Sequence, residues 1–522
     1  MSKRRRSRKK TQGTEPAIKP ITIVTQHRAF LPGLALLAIL FAWITFDARL
    51  SLIGDNAEFI TLGRSIAQGH GLTYINTVEA LPATKYPFGF PLVLAVIHLI
   101  FPFSLPAMKI FVAATFILSI PTIYVVVARL ISPGYALASA GFTLISIYAL
   151  NFGSIVLSEV PYMLLSLVAI WRVHLASEKD DLRSHGLAIL SLMAAYYVRS
   201  IGISLVAATV VYLFLKEKRK WAGIYAIVCV LLALPWQIRT QLAGGPSYVR
   251  TWLLSADPYT LQGTLGFSGL LNRIAQNLYL YATKELPRVF WPSHYDLQYA
   301  GGPLDSGWVS GVLGMALALG VLVFVVRGLR DRQLLALYLL FYAGVCMLWP
   351  EVWASVRLLI PVIPLLVPGV LHSLGSLVTR LAGGNRWSGV IALVFAGLYA
   401  FSNGSAIARH VDYVTRQPPA FENYLAAGDW IKRNTPEDAV ICCRKAYLMF
   451  VASNRRTTSY LFTNDHTSLL QDLEEKQVDH VVVDHLSSST GRYLVPAINA
   501  NRGRFESLHI VPKPDTYVLK FK

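Results

Sequence analysis

Charged residues are scarce in this chain. Of its 522 residues only 15% are Asp, Glu, Lys or Arg, against a usual share of about 25% in soluble domains. Apolar residues reach 54% without counting glycine, above the roughly 45–50% that soluble proteins reach with glycine included. A soluble core could not bury so many long apolar runs. The composition therefore excludes an ordinary soluble enzyme and indicates a polytopic membrane protein.

Cysteine is also rare, with four residues in the whole chain. Cys229 and Cys346 fall inside apolar runs, where cysteine acts as a small core residue. Cys442 and Cys443 are adjacent, and neither a CxxC nor a Cys/His zinc spacing surrounds them. The pattern gives no support for a cysteine-based metal site, and it leaves a bond between the two neighbours as an uncommon alternative.

The chain has fewer acidic than basic residues, with 29 Asp and Glu against 48 Lys and Arg, so its formal net charge is +19. A basic excess of this size can mark a nucleic-acid-binding protein. Here, however, the basic residues are spread over the N-terminal tail and over short loops between apolar runs. That distribution argues against nucleic acid as a partner and is typical of loops beside anionic lipid headgroups.

The apolar runs predict about eleven membrane-spanning helices of roughly 20 residues each. These runs cover residues 29–47, 106–129, 134–151, 160–176, 186–198, 200–215, 221–238, 308–326, 333–349, 358–376 and 388–403. The further run 90–103 is short and bounded by proline, and we expect it to lie against the outer face without crossing. If it crossed, nearly all the basic loops would move outside while the basic N-terminus stayed inside.

This threading predicts three parts. Residues 1–28 form a basic cytoplasmic tail, and residues 29–403 form the membrane domain, with outer loops at 48–105 and 239–307. Residues 404–522 lie outside the membrane. Because amphipathic helical patterns alternate there with short β-rich runs, we expect a small α/β domain.

Two carboxylates stand out on the predicted outer face. Asp55 follows the first apolar run in GDNAEFITLGRSIAQGHGLTY, and Glu159 precedes another in LSEVPY. A single acid in such a position can simply be an interfacial residue wetted by water. Two of them on one face indicate a shared site, because ionisable residues near hydrocarbon are rare and usually functional. Glu58 lies one helical turn from Asp55 and is either a supporting acid or merely solvated.

Three cations also lie on the predicted outer face, namely Lys85, Arg199 and Arg357. They can be explained as long side chains that lift their charge to the headgroups. However, cations at outer span ends are exceptions to the positive-inside rule and need a reason. The phosphate of a lipid carrier is the natural partner, because guanidinium offers it bidentate, charge-assisted hydrogen bonds.

The order of these motifs resembles the GT-C glycosyltransferases, specifically the aminoarabinose-transferase and protein O-mannosyltransferase branch. Members of that branch use polyprenyl-phosphate-linked sugars and transfer the sugar outside the membrane. The motifs that carry the resemblance are GDNAEFITLGRSIAQGHGLTY (54–74), KYPFGFPLVLA (85–95), LSEVPY (157–162), VRSIG (198–202) and RLLIPVIP (357–364). They cover the membrane half of the chain only.

The resemblance implies a role for each residue of the group. Asp55 is expected to be the catalytic carboxylate, and Glu159 a second acid near the acceptor or a metal. The expected substrate-binding residues are Glu58, Lys85, Tyr86, Arg199 and Arg357, with the arginines on the carrier phosphate. Related transferases often have Lys-Pro-Pro preceded by a metal-binding acid, whereas this chain has Thr84-Lys85-Tyr86-Pro87. A divalent metal is therefore left open, and no cofactor is certain.

The resulting hypothesis is a membrane glycosyltransferase of the cell envelope in the bacterial inner membrane. It would move a hexosyl or pentosyl group from a polyprenyl-phosphate donor to a lipid, glycan or protein acceptor on the periplasmic face. Asp55, ionised near neutral pH, would act as the base. The main alternative is a multi-pass transporter or flippase, which predicts charges near the middle of spans and inverted repeats. A second alternative is a catalytically silent membrane scaffold.

Overall fold

The computed structural model describes residues 30–244, 255, 263–292, 308–381, 386–415 and 417–522. These residues are mostly helical. The helices of the first half are α1 (Phe30–Ile44), α2 (Gly54–Ala67), α3 (Gly89–Ile100), α4 (Leu105–Leu130), α5 (Pro133–Leu144), α6 (Ile147–Phe152), α7 (Glu159–Lys179), α8 (Leu182–Val198), α9 (Ile203–Leu215) and α10 (Arg219–Leu242). The helices that follow as far as the outer domain are α11 (Phe267–Leu280), α12 (Leu286–Phe290), α13 (Trp308–Arg330), α14 (Leu334–Leu348), α15 (Ile363–Leu381) and α16 (Arg386–Thr415).

Six helices in the described ranges are long and apolar enough to cross a membrane. They lie within Leu105–Leu130, Glu159–Lys179, Arg219–Leu242, Gly311–Arg330, Val356–Arg380 and Gly389–Asn434. Shorter apolar helices accompany them: α1 precedes all six, and α9 and α14 lie between them in the chain. The chain is therefore a multi-pass membrane protein, and the count of about eleven spans stays a prediction.

Two predicted runs form something other than one straight span. The run 134–151 divides into α5 and the short α6, with a break at Ile145 and Ser146. The run 90–103 forms α3, whose 12 residues extend about 18 Å at 1.5 Å per residue. That length is below the roughly 30 Å of a hydrocarbon core, but the shorter apolar helices α1, α9 and α14 fall below it too. That 90–103 does not cross therefore stays a prediction.

Local signals fix several helix ends. Ser104 begins α4, and its hydroxyl accepts a hydrogen bond from the Ala107 amide over 3.2 Å. Asp181 does the same for α8, accepting from the Ser184 amide over 2.9 Å. Both caps satisfy amides that have no partner inside the helix. The predicted threading places these two capped starts at opposite ends of the bundle.

Residues 417–522 form a small α/β unit, which confirms the predicted fold class. We call it the outer domain after its predicted side of the membrane. Its helices are α17 (Pro419–Asn434), α18 (Ala446–Ser453), α19 (His466–Glu475) and α20 (Val495–Ala500), and its strands are β1 (Val440–Cys442), β2 (Arg456–Thr458), β3 (His480–Val483), β4 (Phe505–Val511) and β5 (Thr516–Phe521). The sheet has the order β2-β1-β3-β5-β4. The pairs β2–β1 and β1–β3 are parallel, while β3–β5 and β5–β4 are antiparallel. Cys442 and Cys443 are buried here as free thiols.

The outer domain packs on the first outer loop of the membrane domain. Helix α18 lies against α2, and the Arg64 guanidinium lies 5.1 Å from the centre of the Phe450 ring. The Thr457 amide donates to the Asn76 carbonyl over 2.5 Å, and the Asn76 side chain donates back over 3.3 Å. Helix α16 runs through the predicted boundary at residue 404, so that boundary stays a prediction. The contacts place a helix of the outer domain directly over the acidic helix α2.

Candidate active site

Helix α2 carries the acidic pair. Its start is held by Asn56, whose side-chain amide donates to the Ser51 and Ile53 carbonyls over 2.7 and 2.5 Å. Asp55 lies in the first turn, where the helix dipole favours a negative charge. Glu58 follows one turn later and is buried, with 3% of its surface exposed. Asp55 and Glu58, three residues apart in one helix, therefore lie on the same helical face.

Lys85 joins these two acids. Its Nζ lies 2.8 Å from Glu58 Oε2 and 3.4 Å from Asp55 Oδ1. The same ammonium lies 4.6 Å from the centre of the neighbouring Tyr86 ring. That ring packs against Phe59 of α2 at 4.3 Å between ring centres. The packing fixes the loop before α3 beside the acidic face of α2.

Arg357 joins Asp55 to the other predicted acid, Glu159. Its Nη1 donates to Asp55 Oδ2 over 2.6 Å, and its Nε donates to Glu159 Oε1. Arg199 Nη1 approaches Glu159 Oε1 to 3.0 Å and donates to the Ser158 hydroxyl over 3.0 Å. The fully buried Glu159 carboxylate therefore receives two arginines on one oxygen.

All seven predicted site residues thus lie in one connected group, which we call the acid–cation cluster. It consists of Asp55, Glu58, Lys85, Tyr86, Glu159, Arg199 and Arg357. Its members come from helix ends or loops at one end of the bundle. Glu159 begins α7, Arg199 ends α8, and Arg357 precedes α15. A cluster at one membrane face is what the sequence predicts.

The electrostatics of the cluster favour its charged forms. Burial by itself raises the pKa of Asp55, but Lys85 and Arg357 lower it by more, so that it lies well below its ordinary value. Burial lowers the pKa of Lys85, while Glu58 and Asp55 raise it by more, to above its ordinary value. In both residues the effect of the close opposite charges outweighs that of burial. Asp55 is therefore ionised at neutral pH.

Three carboxylates in the cluster face three cations, so its formal charges balance. In the part of the chain that the structure describes, no group of three or more His, Cys, Asp or Glu side chains is arranged to hold a metal ion. A divalent metal would have to displace Lys85 or an arginine from the carboxylates. The cluster in this arrangement does not fit a resident divalent metal.

One carboxylate oxygen of the cluster lacks a hydrogen-bond donor among the described residues. Glu159 Oε2 is buried and has no hydrogen-bond partner among the described residues, whereas Glu159 Oε1 receives both arginines. A buried carboxylate oxygen without a donor is costly. A substrate hydroxyl or a water that donates to it would remove this cost.

The sequence did not point to three further residues of the site. Tyr74 donates to Glu58 Oε1 over 2.7 Å, and Ser158 binds Arg199 as described. Tyr447 of the outer domain packs on Tyr74, with ring centres 5.5 Å apart. Burial and the charge of Glu58 raise the pKa of Tyr447. Tyr74 ends the same motif that carries Asp55, which is a usable signal, whereas nothing in the sequence around Tyr447 indicates its role.

Comparison with known proteins identifies the fold. A sequence profile of the family described as dolichyl-phosphate-mannose-protein mannosyltransferase matches residues 85–238. The structure resembles ArnT from Cupriavidus metallidurans bound to undecaprenyl phosphate, with a TM-score of 0.59 and 11% identity, over 94% of this chain and 98% of that one. It also resembles the Archaeoglobus fulgidus oligosaccharyltransferase tethered to an acceptor peptide, with a TM-score of 0.58 and 11% identity, over 96% of this chain and 75% of that one. A search among curated protein sequences found no significant match.

These similarities define a membrane protein of the GT-C fold, which confirms the resemblance drawn from the motifs. The matched profile covers Lys85, Tyr86, Glu159 and Arg199 but neither Asp55 nor Arg357. Together with the fold, it supports a membrane glycosyltransferase.

Proposed function

We propose that this protein transfers a sugar from a polyprenyl-phosphate-linked donor to an acceptor at the outer membrane face, with Asp55 as the catalytic base. The observation that carries the proposal is Arg357, which shares its guanidinium between Asp55 and Glu159 at the end of a membrane span. A cation there is within reach of both a lipid phosphate and the base. The sugar would be a hexosyl or pentosyl group, and the acceptor a lipid, glycan or protein.

The carrier phosphate would bind to Arg357 and Lys85. Guanidinium and ammonium both donate charge-assisted hydrogen bonds to phosphate oxygens. Lys85 is partly open to solvent, with 31% of its side chain exposed, and Arg357 has 21% exposed. Arg199 is held farther back by Glu159 and Ser158. It would position Glu159, and through Glu159 it would position Arg357.

The chemical step would be an inverting displacement. The acceptor hydroxyl oxygen forms a bond to the anomeric carbon of the sugar as the bond from that carbon to the phosphate oxygen breaks. The acceptor proton passes to an Asp55 carboxylate oxygen. The polyprenyl phosphate departs with the bonding electron pair, and Arg357 and Lys85 stabilise the charge that grows on its oxygen. An amine or amide acceptor would follow the same scheme.

Donor binding would also activate the base. In the free protein Lys85 and Arg357 hold the pKa of Asp55 well below its ordinary value, and so strongly acidic a group is a weak base. A phosphate that binds these cations competes with Asp55 for them, so the pKa of Asp55 would rise toward the operating pH. A base works best when its pKa lies near that pH. Catalytic power would then be largest when the donor is bound.

The relatives support a lipid-linked donor. One similar structure holds undecaprenyl phosphate, another carries an acceptor peptide, and the matched family is described as using dolichyl-phosphate-mannose. For this chain we propose the bacterial inner membrane, with a cytoplasmic N-terminus and the outer domain in the periplasm. This orientation rests on the distribution of Lys and Arg between the spans.

The test is donor turnover by the purified full-length protein in proteoliposomes. Lipid-linked sugars and envelope acceptors extracted from the host membrane are added, and loss of sugar from the carrier is followed by mass spectrometry. The wild type should convert polyprenyl-phosphate-sugar to polyprenyl phosphate, and Asp55→Asn should not. Asp429→Asn, at an exposed position on α17, is the matched control and should remain active.

Intact donor in every sample would contradict the proposal. If the donor crossed the bilayer without being cleaved, the flippase alternative would take its place.

A further inference from the structure

A second polar site lies at the far end of the bundle from the acid–cation cluster. A cavity of about 750 Å³ opens between α5, α13, α15 and α16. Its lining includes Tyr135, Arg327, His372 and Ser376. Helix α15 begins at Ile363, close to Arg357. Of the lining residues, His372 lies about halfway along this helix, and Arg380 lies in its last turn, roughly 26 Å from its start at 1.5 Å per residue. The positive-inside rule predicts that this end is cytoplasmic.

Arg327 is the central charge of this cavity. Its Nη1 donates to His372 Nε2 over 2.5 Å and approaches the Ser376 hydroxyl at 3.5 Å. Because Nε2 accepts, the imidazole is neutral and its Nδ1–H donates to the Tyr135 hydroxyl 3.3 Å away. Among the described residues, no carboxylate lies within ion-pair distance of Arg327. The guanidinium is therefore held in place by neutral groups, and no carboxylate in the described part of the chain neutralises its charge.

Other groups that line the cavity also favour an anion, because they are positively charged like Arg327 or lie at the positive end of a helix dipole. Arg380 also lines the cavity and is exposed. Ser132 and Gly134, at the start of α5, line it as well. The Ser132 hydroxyl already accepts a hydrogen bond from the Tyr135 amide over 3.5 Å, and Pro133 has no amide hydrogen, so this helix start contributes its dipole and not a set of open amides. The positive end of the helix dipole thus adds to the two arginines. The neutral imidazole and the hydroxyls hold Arg327 in place without reducing its charge.

We propose that this cavity binds the phosphate headgroup of an anionic membrane lipid. Basic pockets between transmembrane helices on the cytoplasmic side are suited to such headgroups. A phosphate oxygen would pair with the Arg327 guanidinium, and the acyl chains would lie along the apolar outer surface of α13 and α16. The lipid is either a bulk anionic phospholipid or a polyprenyl phosphate, because both present the same phosphate chemistry. The proposal does not depend on the proposed glycosyl transfer.

The experiment uses the purified full-length protein, stripped of lipid in detergent, and native mass spectrometry. One arm titrates phosphatidylglycerol and the other undecaprenyl phosphate, with phosphatidylcholine as the baseline. Both arms use an Arg357→Ala background, which removes a phosphate ligand of the acid–cation cluster. Arg327→Gln deletes the central charge. Gly375→Leu keeps that charge but places an apolar side chain in the part of the cavity beside His372, because Gly375 lines the cavity and a Cβ there meets no atom within 4 Å.

Arg330→Gln is the matched control, since Arg330 is exposed on the same helix and lies outside the cavity lining. We expect both cavity variants to bind one anionic lipid roughly five- to tenfold more weakly, the effect of one basic residue at an anionic surface. Arg330→Gln should bind both anionic lipids as the Arg357→Ala background does. The lipid whose binding weakens in the cavity variants is the one that the cavity holds. Leucine is a better helix former than glycine, so we expect Gly375→Leu to fold. If Arg327→Gln fails to fold, the affinity of Gly375→Leu for the anionic lipids tests the proposal.

Two results would overturn the proposal. In the first, Gly375→Leu retains the full affinity for both anionic lipids. In the second, Arg330→Gln loses as much affinity as the cavity variants, which would assign the binding to general surface charge.

Discussion

Arg357 donates a hydrogen bond of 2.6 Å to Asp55, a residue 302 positions away in the chain. Asp55 lies in the first turn of α2, and Arg357 lies in a short 3₁₀ turn just before α15. The two residues meet because both of these segments lie at the same end of the bundle. Arg357 also binds Glu159. Because one guanidinium contacts both acids, a change in its ligands affects both at once. Arg357 is therefore the residue through which a bound phosphate would act on the base.

Arg357→Lys should reduce transfer strongly although it keeps the positive charge. A lysine cannot donate in two directions from a rigid plane, so one of Asp55 and Glu159 loses its partner. We expect kcat to fall by about a hundredfold or more, as when a transition-state donor is removed. Arg409→Lys, at an exposed position on α16 with a hydrogen bond to Ser405, should leave kcat unchanged. Equal rates for wild type and Arg357→Lys would remove Arg357 from the chemical step.

Asp55→Asn and Glu58→Gln should have different kinetic effects. Asp55→Asn removes the proposed base and should lower kcat by about 10²–10⁴-fold. Glu58 contacts Lys85 at 2.8 Å and Tyr74 at 2.7 Å, so Glu58→Gln should mainly displace Lys85 and raise the KM for the donor. Steady-state kinetics with a fixed acceptor measures both. If Glu58→Gln loses kcat and Asp55→Asn does not, the assignment of the base must be reversed.

The pH dependence should report the charges around Asp55. Because Lys85 and Arg357 keep the pKa of Asp55 below its ordinary value, the base is ionised throughout the neutral and mildly acidic range. Removing a cation in Arg357→Ala raises that pKa, so the acid limb of kcat/KM should move to higher pH. In the wild type, kcat should fall on the acid side at a higher pH than kcat/KM does. The reason is that kcat reports the pKa of Asp55 in the donor-bound protein, whereas kcat/KM reports it in the free protein. Coincident limbs in all samples would contradict activation of the base by the donor.

Gly89 should be sensitive to the smallest substitution. A Cβ there would lie 2.6 Å from the Tyr197 carbonyl oxygen and 2.7 Å from its carbon, so α3 would have to move away from α8. Gly89→Ala should destabilise the protein by about 1–3 kcal/mol and lower activity by shifting the Lys85 loop from Arg199. Gly141→Ala is the control, because a Cβ there meets nothing within 4 Å, and it should be neutral or stabilising. Thermal unfolding in detergent measures both variants. Equal melting temperatures for Gly89→Ala and wild type would show that this close approach is not required.

Much of the fold and of the cluster could be predicted from the sequence. Apolar run length and the placement of Lys and Arg predict spans and their sides without any tertiary information. The residues Asp55, Glu159, Arg199 and Arg357 could be selected because charge at an outer span end is costly and rare. Their common membrane face then predicted that they would share a site, and the structure brings them into contact.

The remaining features depend on tertiary contacts that no local pattern encodes. Tyr447 reaches the site only because the outer domain packs α18 on α2, and its own stretch, AYLMFVAS, is an ordinary apolar helix. The break between α5 and α6 lies in a run whose hydropathy is continuous. The pairing of Arg357 with two carboxylates could not be predicted either, since the sequence argument assigned the arginines to a phosphate alone.

The most direct test of the account is whether the protein carries its donor. The full chain is extracted gently from its own membrane and examined by native mass spectrometry for retained lipid. We predict an adduct with the mass of a polyprenyl phosphate bearing a pentose or hexose, lost in Arg357→Ala and kept in Arg409→Lys. Retention of bulk phospholipids only, together with failure of added polyprenyl phosphate to bind, would contradict a lipid-phosphate-dependent glycosyltransferase.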